Sequence, residues 1–150
     1  MKIFIATDHA GFELKNILLP FLTDELGHEV VDCGAFNYDE TDDYPDFINV
    51  AISHLKDEVE EARAIIIGGS GQGEAILANR YSGIRAVVYY GGPEEIISLS
   101  REHNDSNVLS FGARFIDEAI AKSAINIWLN TDFSTDERYQ RRIDKVENGA

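Results

Sequence analysis

The sequence predicts an open α/β domain of three layers, with a five-stranded parallel sheet and a C-terminal helix. Short apolar runs alternate along the chain with longer segments of helical periodicity, which is the order of repeated βαβ units. The runs Ile65-Ile66-Ile67 and Ala86-Val87-Val88 are continuously apolar, as in strands buried on both faces of a parallel sheet. The length suits one Rossmann-like domain over residues 1–150, which buries roughly 70% of its unfolded surface.

The elements are predicted in a simple alternating order. Strand-length runs lie at residues 2–7, 29–32, 64–67, 84–90 and 107–111, and helical patterns cover 12–26, 46–61, 74–79, 93–102 and 117–129. A last helix is predicted over 136–147, because Ser134 and Glu137 have the spacing of a capping box. The acidic irregular segment 34–45 predicts a surface loop and a candidate lip over a ligand site.

Charge excludes two classes of partner. The chain has 13 Lys and Arg against 27 Asp and Glu, a formal net charge of −14. An acidic chain of this kind is not expected to bind nucleic acid or an anionic membrane. The charge is uneven, however, because residues 1–75 carry 4 basic and 16 acidic side chains and residues 76–150 carry 9 and 11. A cationic cluster in the second half therefore predicts an anionic small ligand.

The cysteine count and the apolar runs predict a cytoplasmic protein. The one cysteine, Cys33, cannot form an intrachain disulfide, which fits a reducing compartment. The apolar start of the chain is only as long as a strand, so no signal peptide is expected. No apolar run approaches the ~20 residues that span a bilayer.

A glycine-rich turn follows the third predicted strand, with the sequence Gly68-Gly69-Ser70-Gly71-Gln72-Gly73-Glu74. In open parallel sheets, ligands bind at the carboxyl ends of the strands, and the free amides of such a turn favour an oxyanion. A nucleotide phosphate loop would have Lys at position 74, and the dinucleotide fingerprint would have its third glycine there. Both patterns therefore fail at Glu74. The purely structural alternative is a tight turn that needs positive φ.

Glu74 is the candidate general base. A carboxylate in a first helical turn is stabilised in its ionised form by the helix, whereas burial raises its pKa. Beside a ring of N–H donors, such a carboxylate has what proton abstraction next to a carbonyl requires. The alternative is a glutamate that interacts only with the helix dipole.

Two histidines lie at opposite edges of the predicted sheet. Asp8 and His9 follow the first strand at its carboxyl end, where they could open a sugar ring or bind its oxygens. They are a weak metal pair, because no second set of ligands has suitable spacing. His103 and Asn104 precede the fifth strand at the amino edge, about one strand length (~17 Å) away. His103 therefore reaches the same site only from another subunit; otherwise it ends a helix.

The basic cluster of the second half predicts a phosphate site. Arg138 and Arg142 are spaced i,i+4 and share one face of the last helix, where two guanidinium groups can grip a phosphate. Arg114 is a candidate third contributor. The alternative is a solvated, charged helix face.

These segments together resemble the ribose-5-phosphate isomerase type B and galactose-6-phosphate isomerase family. The resemblance covers residues 2 to about 145 in order. Its segments are Asp8-His9-Ala10-Gly11-Phe12, Asp43-Tyr44-Pro45, Gly69-Ser70-Gly71-Gln72-Gly73, Ala78-Asn79-Arg80, Gly83-Ile84-Arg85-Ala86, Arg101-Glu102-His103-Asn104, Val108-Leu109-Ser110-Phe111-Gly112-Ala113-Arg114 and Arg138-Tyr139-Gln140-Arg141-Arg142.

The resemblance implies metal- and cofactor-independent aldose–ketose isomerisation of a sugar phosphate through a cis-enediolate. It also implies a homodimer with shared sites, or a tetramer made of two such dimers. By analogy, His103 of the neighbouring subunit and Asp8 assist ring opening, and Asn104 lies near the oxyanion. The remaining implied contacts are the enediolate cradle (Gly69, Ser70, Gly71 and Gly73), the substrate contact Tyr44, and the phosphate ligands (His9, Arg114, Arg138 and Arg142).

The chain departs from the family pattern at two positions. Many relatives have a catalytic Cys where this chain has Gly68, and a second branch has a Glu just after the glycine turn, where Glu74 stands. Glu74 is therefore assigned as the base that moves the proton between C2 and C1. Tyr139 stands where relatives often have His. The predicted reaction is the interconversion of ribose 5-phosphate and ribulose 5-phosphate. Two alternatives stay open: the same chemistry on a hexose 6-phosphate such as galactose or allose 6-phosphate, and a non-catalytic sugar-phosphate binding module.

Overall fold

A computed structural model describes residues 1–149 and confirms the predicted fold class. The strands are β1 (Lys2–Thr7), β2 (Glu29–Asp32), β3 (Ala62–Gly68), β4 (Ala86–Tyr89) and β5 (Val108–Gly112). The α-helices are α1 (Phe12–Pro20), α2 (Tyr44–Leu55), α3 (Gln72–Ala78), α4 (Glu95–Asn104), α5 (Glu118–Asn130) and α6 (Glu137–Glu147).

The five strands form one parallel sheet in the order β2-β1-β3-β5-β4. The chain steps from β1 to β2 on one side and then crosses to β3 on the other, so the strand order reverses between β1 and β3. The registers bring Thr7 beside Ile67 and Gly68 beside Gly112. The carboxyl ends of β1, β3 and β5 therefore lie together at the switch point, where ligands of such sheets bind.

Each face of the sheet buries its own hydrophobic cluster. Successive side chains of β3 alternate between the faces, so that Ile65 and Ile67 join one cluster and Ala64 and Ile66 join the other. Helices α1, α4 and α5 cover the first face, where Trp128 is fully buried, and α2 and α3 cover the second. The continuously apolar sequence of β3 thus reflects a strand that is covered on both sides.

Two helix boundaries differ from the prediction because proline fixes them. The segment predicted as one helix over 12–26 is α1, which ends at Pro20, followed by a π-helical turn at Phe21–Glu25. Proline has no N–H to donate within the helix and its ring crowds the preceding turn, so the regular hydrogen-bonding pattern changes there. The helix predicted at 46–61 is α2, which begins at Tyr44 with Pro45 in its first turn, where the missing N–H costs nothing. The predicted end is wrong by six residues: α2 ends at Leu55, and residues 56–61 form turns in which the Glu58 amide donates to the Leu55 carbonyl.

The predicted capping box at the start of the last helix is wrong. The N-cap of α6 is Asp136, whose carboxylate accepts a hydrogen bond from the Arg138 amide at 2.9 Å. Ser134 instead accepts from the Asp136 amide at 3.2 Å, two residues before the helix starts. Because Asp136 occupies the N-cap position, Glu137 is the first helical residue rather than the third. Within residues 1–149, no helix has the length and apolarity needed to cross a bilayer.

Candidate active site

A cavity of about 350 Å³ lies at the switch point of the sheet. It brings together eight of the residues that the sequence singled out, from the ends of β1, β3 and β5 and the start of α2. They are Asp8, His9, Tyr44, Gly69, Ser70, Gly73, Glu74 and Arg114, and Ala10 and Phe115 complete the lining. Residues separated by more than a hundred positions in sequence thus share one site.

The glycine-rich turn is held against the end of β5. The amide of Ala113 donates to the Gly68 carbonyl at 2.8 Å, and the Ser110 hydroxyl donates to the Gly71 carbonyl at 2.7 Å. Gly71 has φ +75°, and a Cβ there would lie 2.9 Å from the backbone of Phe111. Positive φ is needed only at Gly71 in this turn. Within residues 1–149, the amides of Gly69, Ser70 and Gly71 have no backbone acceptor, so they are available to an oxyanion.

Glu74 is buried in the first turn of α3, with only 4% of its surface exposed. Burial raises the pKa of this carboxyl, and the nearby charge of Asp8 raises it further, while a hydrogen bond from its own backbone amide acts in the opposite direction. Of the two opposing effects expected from the sequence, burial is therefore the larger. A desolvated carboxylate with a raised pKa is a stronger proton acceptor when ionised.

The carboxylate of Glu74 fills the space above Gly68. A Cβ on Gly68 would lie 1.8 Å from Oε1 of Glu74 and 2.1 Å from its Cδ, so any side chain at position 68 would displace the carboxylate. A cysteine at position 68 and a glutamate at position 74 therefore compete for one place in this fold. The other thiol of interest, that of Cys33, is buried among apolar side chains, which raises its pKa to about 11.

Asp42 is a site residue that the sequence did not single out. Its Oδ1 accepts hydrogen bonds from Nδ1 of His9 at 2.6 Å and from the His9 amide at 3.0 Å. Oδ2 of Asp42 is buried and has no hydrogen-bond partner within residues 1–149. The side-chain hydrogen bond with Asp42 raises the pKa of His9, and the charge of Asp8 acts in the same direction, whereas Arg114 opposes it.

Tyr44 and Arg114 pack against the glycines of the turn. A Cβ on Gly73 would lie 3.0 Å from the Tyr44 hydroxyl, and one on Gly69 would lie 3.1 Å from Nε of Arg114. Both glycines thus make room for side chains that line the cavity. Tyr38 lies edge-on to the His9 ring, with centroids 6.5 Å apart. The acidic segment predicted as a lip therefore contacts the site through Tyr38 and Asp42.

The remaining candidate residues form a second cluster around α4 and α6. His103 stacks on Tyr139, and the guanidinium groups of Arg138 and Arg142 lie over the same tyrosine ring. Arg142 and Asn104 line a separate cavity of about 480 Å³, which shares no lining residue with the first. His103 ends α4 at the amino edge of the sheet. One chain therefore does not bring His103, Asn104, Arg138 and Arg142 to the cavity that holds Glu74.

Among the described residues, one group of side chains has the spacing of possible metal ligands. Ligand atoms of Asp8, His9 and Asp42 lie within 4.8 Å of one another. Two of these groups already share the hydrogen bond between His9 and Asp42, and Oδ1 of Asp8 accepts from the Ala10 amide at 3.0 Å. The three side chains thus form a cluster that is hydrogen-bonded internally and to the backbone, and we assign no ion to it.

A buried carboxylate that faces free amides in a small polar cavity is the arrangement of an isomerase that moves a proton beside a carbonyl. Residues 3–146 match the family model described as Ribose/Galactose Isomerase. The chain therefore belongs to that family, as the sequence motifs indicated, and it is an isomerase.

Individual relatives resemble the chain over almost its whole length. Ribose-5-phosphate isomerase B of Mycolicibacterium paratuberculosis is 38% identical over 144 residues, which are 96% of this chain and 88% of the relative. The protein of the same name from Escherichia coli is 38% identical over 146 residues, 97% of this chain and 93% of the relative. The crystal structure of ribose-5-phosphate isomerase B from Mycoplasma genitalium with bound ribulose-5-phosphate has a TM-score of 0.92 at 34% identity. It covers 99% of this chain and 95% of that chain.

Proposed function

We propose that this protein interconverts ribose 5-phosphate and ribulose 5-phosphate, with Glu74 as the base that moves the proton between C2 and C1. The observation that carries the proposal is the buried carboxylate of Glu74, which occupies the space above Gly68 beside the free amides of the turn. The relatives named ribose-5-phosphate isomerase B support the substrate. The ribulose 5-phosphate bound to the similar Mycoplasma genitalium structure supports it further.

The chemical step follows from the positions of these groups. Ionised Glu74 takes the proton from C2 of the open-chain aldose, and the electron pair of that C–H bond forms the C1–C2 double bond. Negative charge then develops on O1, where the amides of Gly69, Ser70, Gly71 and Gly73 are the proposed donors. Glu74 returns its proton to C1, a proton passes from O2 to O1, and the ketose results.

Two further roles are proposed at the cavity wall. Asp8 assists ring opening, and Tyr44 contacts the sugar across the cavity from its position on Gly73. His9, whose pKa is raised by the hydrogen bond with Asp42, and Arg114 contact the phosphate. A charged hydrogen bond from an imidazolium and a guanidinium suits a dianionic group.

A homodimer with shared sites completes the proposal. His103, Asn104, Arg138 and Arg142 come from the partner subunit, because within one chain none of them lines the cavity that holds Glu74. The partner's cluster would then supply the acid–base group for ring opening and two more cations for the phosphate. Cys33, as a buried free thiol, is compatible with the cytoplasm as the working compartment.

An isomerase assay across aldose phosphates tests the substrate. The proposal expects kcat/KM for ribose 5-phosphate to exceed that for allose 6-phosphate and galactose 6-phosphate. A higher value for either hexose phosphate would assign the same chemistry to the longer sugar instead. No turnover of any aldose phosphate, with inorganic phosphate still bound, would make the protein a sugar-phosphate binding module.

A further inference from the structure

Tyr139 lies at the junction of three groups that the proposed function uses. Its side chain is buried, with 7% of the residue exposed. Its ring stacks on the imidazole of His103, with centroids 4.2 Å apart and planes 19° from parallel. The guanidinium carbons of Arg138 and Arg142 lie 4.5 and 5.9 Å from its ring centroid, and its hydroxyl accepts a hydrogen bond from Nη2 of Arg138.

The stack holds His103 by the face of its ring. Within residues 1–149, neither ring nitrogen of His103 has a hydrogen-bond partner. Both nitrogens are therefore free for substrate, while the stack fixes the plane in which they lie. An acid–base group needs at least one ring nitrogen that is free to exchange a proton with the substrate, and the stack on Tyr139 meets that requirement.

The same ring positions the two arginines. A guanidinium group over an aromatic face is attracted by the ring quadrupole, and Arg138 gains an acceptor in the tyrosine hydroxyl as well. The helix that carries these residues is also fixed to α4, because the Ser134 amide donates to the Glu102 carbonyl at 3.0 Å. His103 and the arginines therefore keep a set distance from each other through Tyr139.

We propose that Tyr139 is a positioning residue that couples the orientation of His103 to the phosphate grip of Arg138 and Arg142. This inference rests on the proposed function of those three residues. The tyrosine hydroxyl positions Arg138, which binds the phosphate end of the substrate. The aromatic ring of Tyr139 positions His103, which acts at the sugar end where the substrate ring opens. The two contributions are separable, because Tyr139→Phe removes the hydroxyl alone and Tyr139→Leu also removes the aromatic face.

Steady-state kinetics and phosphate binding of the two variants test the coupling. For Tyr139→Phe we expect KM for ribose 5-phosphate and Kd for inorganic phosphate to rise together by about 5-fold, with kcat within about 2-fold. For Tyr139→Leu we expect the same rise and, in addition, a fall in kcat on the order of 10-fold or more. Tyr81→Phe is the matched control, because the Tyr81 hydroxyl donates to Asn49 at 2.8 Å and Tyr81 lines neither cavity.

A merely structural role would give a different pattern. Tyr139 would then behave as core filling, so that Tyr139→Phe and Tyr139→Leu would lower Tm while KM, kcat per folded subunit and phosphate Kd stayed at wild-type values. That result overturns the proposal. The phosphate measurement by calorimetry does not depend on turnover. If the wild-type protein isomerises no aldose phosphate, the proposed function fails, and an unchanged phosphate Kd in Tyr139→Phe would separately reject the coupling.

Discussion

The two histidines of the candidate site are held in opposite ways. His9, at the carboxyl edge, has its Nδ1 hydrogen-bonded to the carboxylate of Asp42 at 2.6 Å, which raises the pKa of His9. His103, at the amino edge, is held by the face of its ring against Tyr139. Under the proposed function, this difference suits His9 to binding an anion and His103 to exchanging a proton. The chemistry is set by the neighbours of each ring, since the side chains are identical.

The largest expected effect belongs to neither histidine but to the carboxylate of Glu74, beside the glycine-rich turn. Replacing Glu74 by Gln removes the proposed base while keeping its size. We expect kcat to fall about 10³-fold or more, with the sugar phosphate still bound, because a general base contributes on the order of 10² to 10⁴. Initial-rate kinetics together with ligand binding by calorimetry measure both quantities. Near-normal turnover would remove Glu74 from the mechanism.

The Glu74→Gln variant should also change the dependence of Tm on pH, in a direction that the raised pKa of Glu74 determines. Burial raises the pKa of Glu74 in the folded protein, so the stability it contributes is complete below the unfolded-state pKa and is lost as pH rises through the folded value. Glu74→Gln, which cannot ionise, should therefore have a higher Tm than the wild type at pH 8, with the gap closing toward pH 4. Glu95→Gln is the control, an exposed glutamate in the first turn of α4. Its Tm and activity should match the wild type.

A methyl group at position 68 should displace the carboxylate of Glu74 while leaving residue 74 a glutamate. Gly68→Ala would put a Cβ 1.8 Å from Oε1 of Glu74, and the carboxylate must move. We expect kcat/KM to fall about 100-fold, as when a catalytic group is misplaced by about 1 Å. Gly69→Ala is the comparison, because its Cβ meets the flexible end of Arg114 at 3.1 Å. If Gly68→Ala loses no more activity than Gly69→Ala, a side chain at position 68 does not displace the carboxylate of Glu74.

The pairing of Asp42 with His9 predicts a smaller and pH-dependent effect. The phosphate contact of cationic His9 is present below the pKa of His9 and is lost as pH rises through it. Asp42→Asn removes the first cause of the raised pKa, so this loss should move to lower pH. We expect KM to rise about 10-fold at pH 7.5, the worth of one charged hydrogen bond, and to approach the wild-type value near pH 5.5.

The control for this comparison is the next residue. Asp43→Asn makes the same change of charge at an exposed position whose side chain forms no cap to α2. Its KM profile against pH should follow the wild type. Equal KM profiles for Asp42→Asn and the wild type would contradict the assignment of His9 as a phosphate ligand held by Asp42.

The sequence predicted most of the residues at the carboxyl edge of the sheet, but it did not predict the side-chain contacts between separate elements. Alternating apolar runs predict the sheet because backbone pairing follows from periodicity, and strand ends then predict most of the residues around Glu74. Asp42 was not predicted because it is one of four acidic residues between positions 39 and 43. Only the path of the loop determines which of the four contacts His9. The stack of Tyr139 on His103 joins residues 36 positions apart, and no local pattern encodes such packing.

The balance of opposing effects also required the structure. The sequence places Glu74 in a first helical turn, where the helix lowers its pKa, and close to a cavity, where burial raises it. Which effect is larger depends on the space above Gly68, which the carboxylate fills. The capping of the last helix is similar, since Ser134 and Asp136 are both good caps and the chain path decides between them.

The central claim is that each active site combines Glu74 of one chain with His103 of the other. Mixing Glu74→Gln with His103→Ala subunits tests it directly, after exchange of subunits has been verified by mass spectrometry. Random pairing makes half of the dimers mixed, and one of the two sites in each mixed dimer is intact, so we expect recovery of about a quarter of wild-type activity. Activity that stays at the level of the separate variants would contradict the shared site.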